Sequence, residues 1–106
     1  MTISGYKAAA AKFRYWHKET ALGPGYAALA LAGEAGEVAN EAKRLFTGTP
    51  IEGVKAAVEE ELGDVMWYFT ILTECLGINP EELLQKSIRK MQGRSETDGL
   101  GSIQDR

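Results

Sequence analysis

Residues 52–76, EGVKAAVEEELGDVMWYFTILTECL, decide how this chain folds. Val54, Val58, Leu62, Val65, Phe69, Leu72 and Leu76 follow one another at steps of four and three residues. That period gathers apolar side chains into one stripe along an α-helix. Gly77 is the expected stop, because glycine enters the left-handed conformation of a helix end without steric penalty.

Downstream, Asn79 is a good N-cap, Pro80 suits the first helical position and Glu82 stands one turn in, so a further helix opens here. It offers Leu84, Ile88 and Met91 on one face and is expected to fade near Gly93. Upstream, Thr47-Gly48-Thr49-Pro50 reads as a loop and residues 26–46 as a helix. This helix is thin, with Ala27, Ala28, Ala30, Ala32, Gly33, Ala35, Gly36 and Ala39. Small side chains are expected to admit a second helix closely, at some expense of helix propensity. Gly23-Pro24-Gly25 is expected to break the chain between this helix and an earlier one over residues 5–22. Strand signals are nearly absent. The expectation is an all-α fold, a four-helix antiparallel bundle whose two middle helices form a hairpin. A single domain over 1–106 is expected, with its core at about 26–93 and a mostly polar tail at 94–106.

A chain of 106 residues buries a modest fraction of its surface. Together with the apolar Trp67, Phe69 and Ile71, this points to a homo-oligomer, a dimer or a tetramer of paired dimers. The net charge of -3 gives no electrostatic argument for a nucleic-acid polymer or an anionic membrane surface. Cys75 is the only cysteine, so no internal disulfide can form, and its apolar surroundings suit an inert thiol. Residues 1–15 hold no apolar run of signal-peptide type, and no stretch approaches the ~20 apolar residues of a membrane span. A cytoplasmic protein is expected.

The acidic residues are arranged less ordinarily. Glu34 and Glu37 are three apart, and Glu41 follows at four. Glu61 and Asp64 repeat the spacing on the next helix, with Tyr68 one turn further along the same face. Like charges at these spacings repel by a few tenths of a kcal/mol per pair unless a cation lies between them. In an antiparallel hairpin the two pairs can converge, and hard oxygen donors suit magnesium or manganese. A single Glu-x-x-Glu is usually a solvated helix face. Two such pairs beside small or apolar residues leave that reading and a metal site about level.

The segments GEAGEVANEAKR (33–44) and EEELGDVMWYF (59–69) resemble the motif of the MazG-type all-α nucleoside triphosphate pyrophosphohydrolases: a Glu-x-x-Glu helix, a spacer, then a Glu-x-x-Asp helix. LGINPEELLQKSIRKMQGR (76–94) resembles the next helix of that family, and the likeness covers about 29–94. The family often continues with Arg-Tyr-Pro, whereas Arg94 is followed here by Ser95-Glu96-Thr97. The resemblance implies Glu34, Glu37, Glu61 and Asp64 as metal ligands and Mg²⁺ as cofactor, with Mn²⁺ able to substitute. It implies hydrolysis of a nucleoside triphosphate to the monophosphate and pyrophosphate by metal-activated water, with a house-cleaning role towards noncanonical or surplus nucleotides. Glu37 or Glu41 would orient that water or take its proton.

For substrate, Lys43, Lys90 and Arg94 are the candidate phosphate contacts, although Lys90 and Arg94 are also ordinary charges for a helix end. Tyr68 is the candidate for stacking on the base. Trp16 and His17, in the first helix, are candidates for closing the nucleotide pocket, while Trp67 suits the core or a subunit interface. Two other classes compete. A di-iron carboxylate bundle would need Glu-x-x-His pairs, and the only histidine, His17, is in none. A noncatalytic helical oligomerisation or interaction module would explain the bundle but not the paired acidic turns.

Overall fold

In a computed structural model, residues 1–13 and 22–98 are described. They form α1 (Ile3–Ala10), α2 (Leu22–Ala42), α3 (Ile51–Cys75) and α4 (Pro80–Asp98). Short 3₁₀ turns, Ala11–Phe13 and Lys43–Thr47, extend α1 and α2. No strand occurs among the described residues, so the fold is all-α.

The helix ends follow from local chemistry. Thr2 Oγ1 accepts from the Gly5 amide at 2.9 Å and caps α1. At the end of α3, Gly77 takes φ +67°, its amide donates to Glu74 O and the Ile78 amide donates to Thr73 O at 2.8 Å. This pair of bonds is a Schellman closure, which satisfies carbonyls that the helix leaves open. Gly48, with φ +95°, ends the Lys43–Thr47 turn in the same way. Asn79 Oδ1 accepts from the amides of Glu81 and Glu82, and Pro80 is the first residue of α4. The expected cap of the last helix is therefore present, but the helix runs past Gly93 to Asp98.

Gly23-Pro24-Gly25 does not break the chain; it lies within the first turn of α2. Amides of a first turn have no carbonyl to reach inside the helix, so proline loses nothing there and its fixed φ suits the start. Of the expected first helix, α1 supplies the part up to Ala10 and a 3₁₀ turn follows at Ala11–Phe13; residues 14–21 of the expected span lie outside the described residues.

The hairpin of α2 and α3 is the body of the fold, with α1 packed across α3 and α4 held mainly by α1. The packed side of α2 is one stripe: Gly23 and Ala27 are buried, and Ala30, Leu31, Glu34, Val38, Glu41 and Ala42 are half-buried. On α3, Val54, Thr70, Ile71 and Thr73 are buried. The last three point in different directions, at the end of α3 that meets both α1 and the start of α2. Their hydroxyls are not stranded: Thr70 Oγ1 donates to Trp67 O and Thr73 Oγ1 to Thr70 O. The apolar stripe expected from the sequence is therefore only partly inside. Val54 is buried, but Leu62 is 48% and Leu76 56% exposed. Ile71, expected to add to an uncovered surface, is fully buried. Trp67 is half-buried against the Phe13 ring, with centroids 6.2 Å apart.

The glycines of the hairpin also depart from expectation. A Cβ placed on Gly33, Gly36 or Gly63 would meet nothing within 4 Å. Within one chain these positions admit no close helix; they face open space.

Candidate metal centre

Glu34 reaches the hairpin interior because it falls on the packed stripe of α2. Glu61 and Asp64, one turn apart on α3, meet it from the other side. Carboxylate oxygens of Glu34, Glu61 and Asp64 all lie within 4.8 Å of one another. Glu34 and Glu61 are half-buried and Asp64 is exposed, so the cluster sits at the open edge of the hairpin. Desolvation, a hydrogen bond shared with Glu34, and the charges of Glu34, Asp64 and Glu37 push the Glu61 carboxyl above its ordinary range. The group resists ionisation first because it is partly desolvated, and then because Glu34, Asp64 and Glu37 crowd it with like charge.

Glu37 is exposed and lies beside this trio, near enough for its charge to act on Glu61. Glu41 is half-buried and engaged elsewhere, its Oε1 accepting from Arg44 Nη1 at 2.7 Å.

Tyrosines surround the cluster. Tyr68 is half-buried one turn beyond Asp64. Its ring meets that of Tyr26 edge-on, with centroids 6.3 Å apart and planes at 68°. Desolvation, a hydrogen bond with Tyr26, and the charges of Glu34 and Asp64 raise the Tyr68 phenol above its ordinary value. From α1, Tyr6 approaches the same acids; desolvation and the Asp64 charge raise its phenol too. The sequence reading missed Tyr26 and Tyr6. Tyr26 was accessible by register: in an antiparallel hairpin, residues before Glu34 must face residues after Asp64. Tyr6 carried no such signal.

The remaining expected residues are more scattered. Lys43 is exposed in the turn after α2. Lys90 is exposed and Arg94 half-buried on α4, which packs chiefly on α1, and Arg94 Nη1 lies 3.8 Å from Met91 Sδ. Trp16 and His17 lie outside the described residues.

An acidic cluster shared by two antiparallel helices defines the class: a helical protein with a carboxylate site suited to divalent cations. The chain belongs to the MazG family, since the MazG nucleotide pyrophosphohydrolase domain matches residues 24–97. It is also 34% identical over 77 residues to the Gene 37 protein of Mycobacterium phage L5, covering 70% of this chain and 68% of the phage protein. No solved structure matches.

Proposed function

We propose that this chain hydrolyses a nucleoside triphosphate to the monophosphate and pyrophosphate with a divalent cation, Mg²⁺ first and Mn²⁺ as substitute. The observation that carries the reading is the convergence of Glu34, Glu61 and Asp64 in a chain of the MazG family. The donor set fits such an ion. All three donors are hard carboxylate oxygens, and the charges of Glu34, Asp64 and Glu37 add to desolvation in raising the Glu61 carboxyl. Glu34, Glu61 and Asp64 would hold the cation, with Glu37 as a further ligand or partner at the open edge. When bound, the cation offsets triphosphate charge and makes water more acidic.

The residues around it divide the remaining work. Glu37, exposed beside the cluster, orients the attacking water and takes its proton. Glu41 is second choice for that role, because Arg44 already occupies one of its oxygens. Tyr68 lies against the base, and Lys43, Lys90 and Arg94 supply phosphate contacts. The enzyme works in the cytoplasm, as a homo-oligomer, on noncanonical or surplus nucleotides. Exposed Leu29, Phe46 and Ile88, at 78%, 92% and 60%, are apolar surface that such an assembly would cover.

The test is a panel of canonical and modified nucleotides with Mg²⁺, assayed for both products. Pyrophosphate with monophosphate is expected. Orthophosphate with a diphosphate would overturn the reaction, and absence of both turnover and Mg²⁺ or Mn²⁺ stabilisation would return the chain to a noncatalytic helical module. Light scattering at micromolar concentration, expected to give a dimer or tetramer, tests the assembly.

A further inference from the structure

The acidic centre lies between an aromatic stretch and a cationic stretch of the hairpin. Tyr68 follows Asp64 by four residues on α3. Because α3 runs antiparallel to α2, this displacement is towards the start of α2, where the Tyr26 ring meets Tyr68. Glu41 follows Glu37 by four residues and Glu34 by seven, towards the other end of α2. At 1.5 Å per residue these steps are about 6 and 10 Å. Glu41 is half-buried on the packed stripe that also carries Glu34. Arg44 belongs to the next turn. Its side chain leans back along the chain, as long helical side chains do, and Nη1 donates to Glu41 Oε1 at 2.7 Å. The guanidinium therefore stands at the level of Glu41, nearer the acidic centre than its own backbone. The side chain is 42% exposed and open to a ligand. A guanidinium carries five N–H donors, and among the described residues the bond to Glu41 occupies one of them.

A nucleotide with its base at Tyr68 and its phosphates at the carboxylates extends its terminal phosphoryl groups towards this cation. Resting on the proposed nucleotide chemistry, we infer that Arg44 is a substrate-contacting residue, whose guanidinium, braced by Glu41, binds the terminal phosphoryl groups that leave as pyrophosphate. The base contact stays with Tyr68, and Arg44 joins Lys43, Lys90 and Arg94 as a phosphate contact. Arginine suits the task because its planar fork meets two phosphate oxygens at once and keeps its charge.

Inorganic pyrophosphate and nucleoside monophosphates, the two halves of the substrate, separate the ends of the site. Binding of Mn²⁺ alone, of Mn²⁺–pyrophosphate and of nucleoside monophosphates with Mn²⁺ is measured for wild type, Arg44→Ala and Arg44→Gln, with thermal melts to verify folding. Arg44→Ala should lose roughly tenfold or more for pyrophosphate, as expected for a charge-assisted hydrogen bond, and stay within about twofold for Mn²⁺ alone and for the monophosphate. Arg44→Gln, which keeps much of the side chain but not its charge, should show the same pattern and keeps the test decisive if the alanine variant folds poorly. Equal losses for Mn²⁺ alone and for pyrophosphate would overturn the inference and make Arg44 a support of the acidic centre. A loss for the monophosphate as large as that for pyrophosphate would overturn its assignment to the leaving group. Undiminished pyrophosphate affinity would overturn it too, while leaving the nucleotide reading intact. A wild type that binds Mn²⁺ but neither pyrophosphate nor any nucleotide would remove the nucleotide reading, and this inference with it.

Discussion

The acidic turns of α2 and α3 have the same three-residue spacing and different fates. On α3, Glu61 and Asp64 both bring an oxygen to the cluster. On α2, Glu34 does so from within the packed stripe, whereas Glu37 stays at the exposed edge and Glu41 pairs with Arg44. Residues three apart on a helix differ by about 60° around the axis. A pair centred on the line of contact can deliver both members, and a pair with one member on that line delivers one. Equally spaced motifs thus give the cluster two carboxylates from α3 and one from α2, and on the proposed function leave Glu37 to handle the water.

Neutralising a member of the trio should have the largest effect. Glu34→Gln, Glu61→Gln or Asp64→Asn should reduce turnover by roughly a thousandfold or more, because the several kcal/mol supplied by the cation depend on its ligands. The Mg²⁺-induced rise in melting temperature should shrink in the same variants, while stability without metal should hold or increase slightly as like-charge repulsion is relieved. Retained activity with an unchanged metal response would reduce the cluster to solvated helix surface.

Glu37→Gln sharpens the contrast. Its kcat should fall by about 10²–10⁴, the usual contribution of general-base catalysis, with less loss of metal stabilisation than in the trio. Loss of Mg²⁺ stabilisation equal to that of Asp64→Asn would make the two acidic turns equivalent after all. Glu41→Gln should change kcat by no more than about fivefold, since a partly exposed ion pair contributes about 1 kcal/mol or less. A Glu41 defect as large as that of Glu37 would move the base to Glu41.

Gly33→Ala and Gly36→Ala probe the open side of α2. With nothing within 4 Å to obstruct a Cβ, each should stabilise the free chain by about 0.5–1 kcal/mol in denaturant melts. Destabilisation instead would mean that a second copy closes on this face. Glu59→Gln, an exposed position outside the paired motif, should leave activity and melting unchanged, and a loss matching Asp64→Asn would put the site on the wrong face of α3.

The helices were legible where local chemistry decides them. Asn79-Pro80 and Gly77 fix their boundaries through hydrogen bonds to near neighbours, and pattern reading finds such sites directly. Gly23-Pro24-Gly25 was misread because proline breaks a helix interior but suits its first turn, and its residues do not say which turn they occupy. The apolar stripe of α3 was legible as a helix signal, yet it did not reveal which neighbour covers each part. Leu62 and Ile71 consequently exchanged roles. Within the candidate site, the register of the two acidic turns could be read from the sequence. The exposure of Glu37 and the approach of Tyr6 depend on the angle at which helices meet, whereas the Glu41–Arg44 pair is a local contact three residues apart.

The connection between α1 and α4 bears on how the protein is made. Eight residues cannot hold a helix in water unaided, and α1 is fastened through links that span most of the chain. Ser4 donates to Glu81 across 77 positions, and Lys7 Nζ donates to Ile78 O across 71. A ribosome therefore produces the first helix long before its anchor exists. The hairpin of α2 and α3 is complete as a contiguous piece before Glu81 is translated, so α1 can pack across α3 before its links to α4 form.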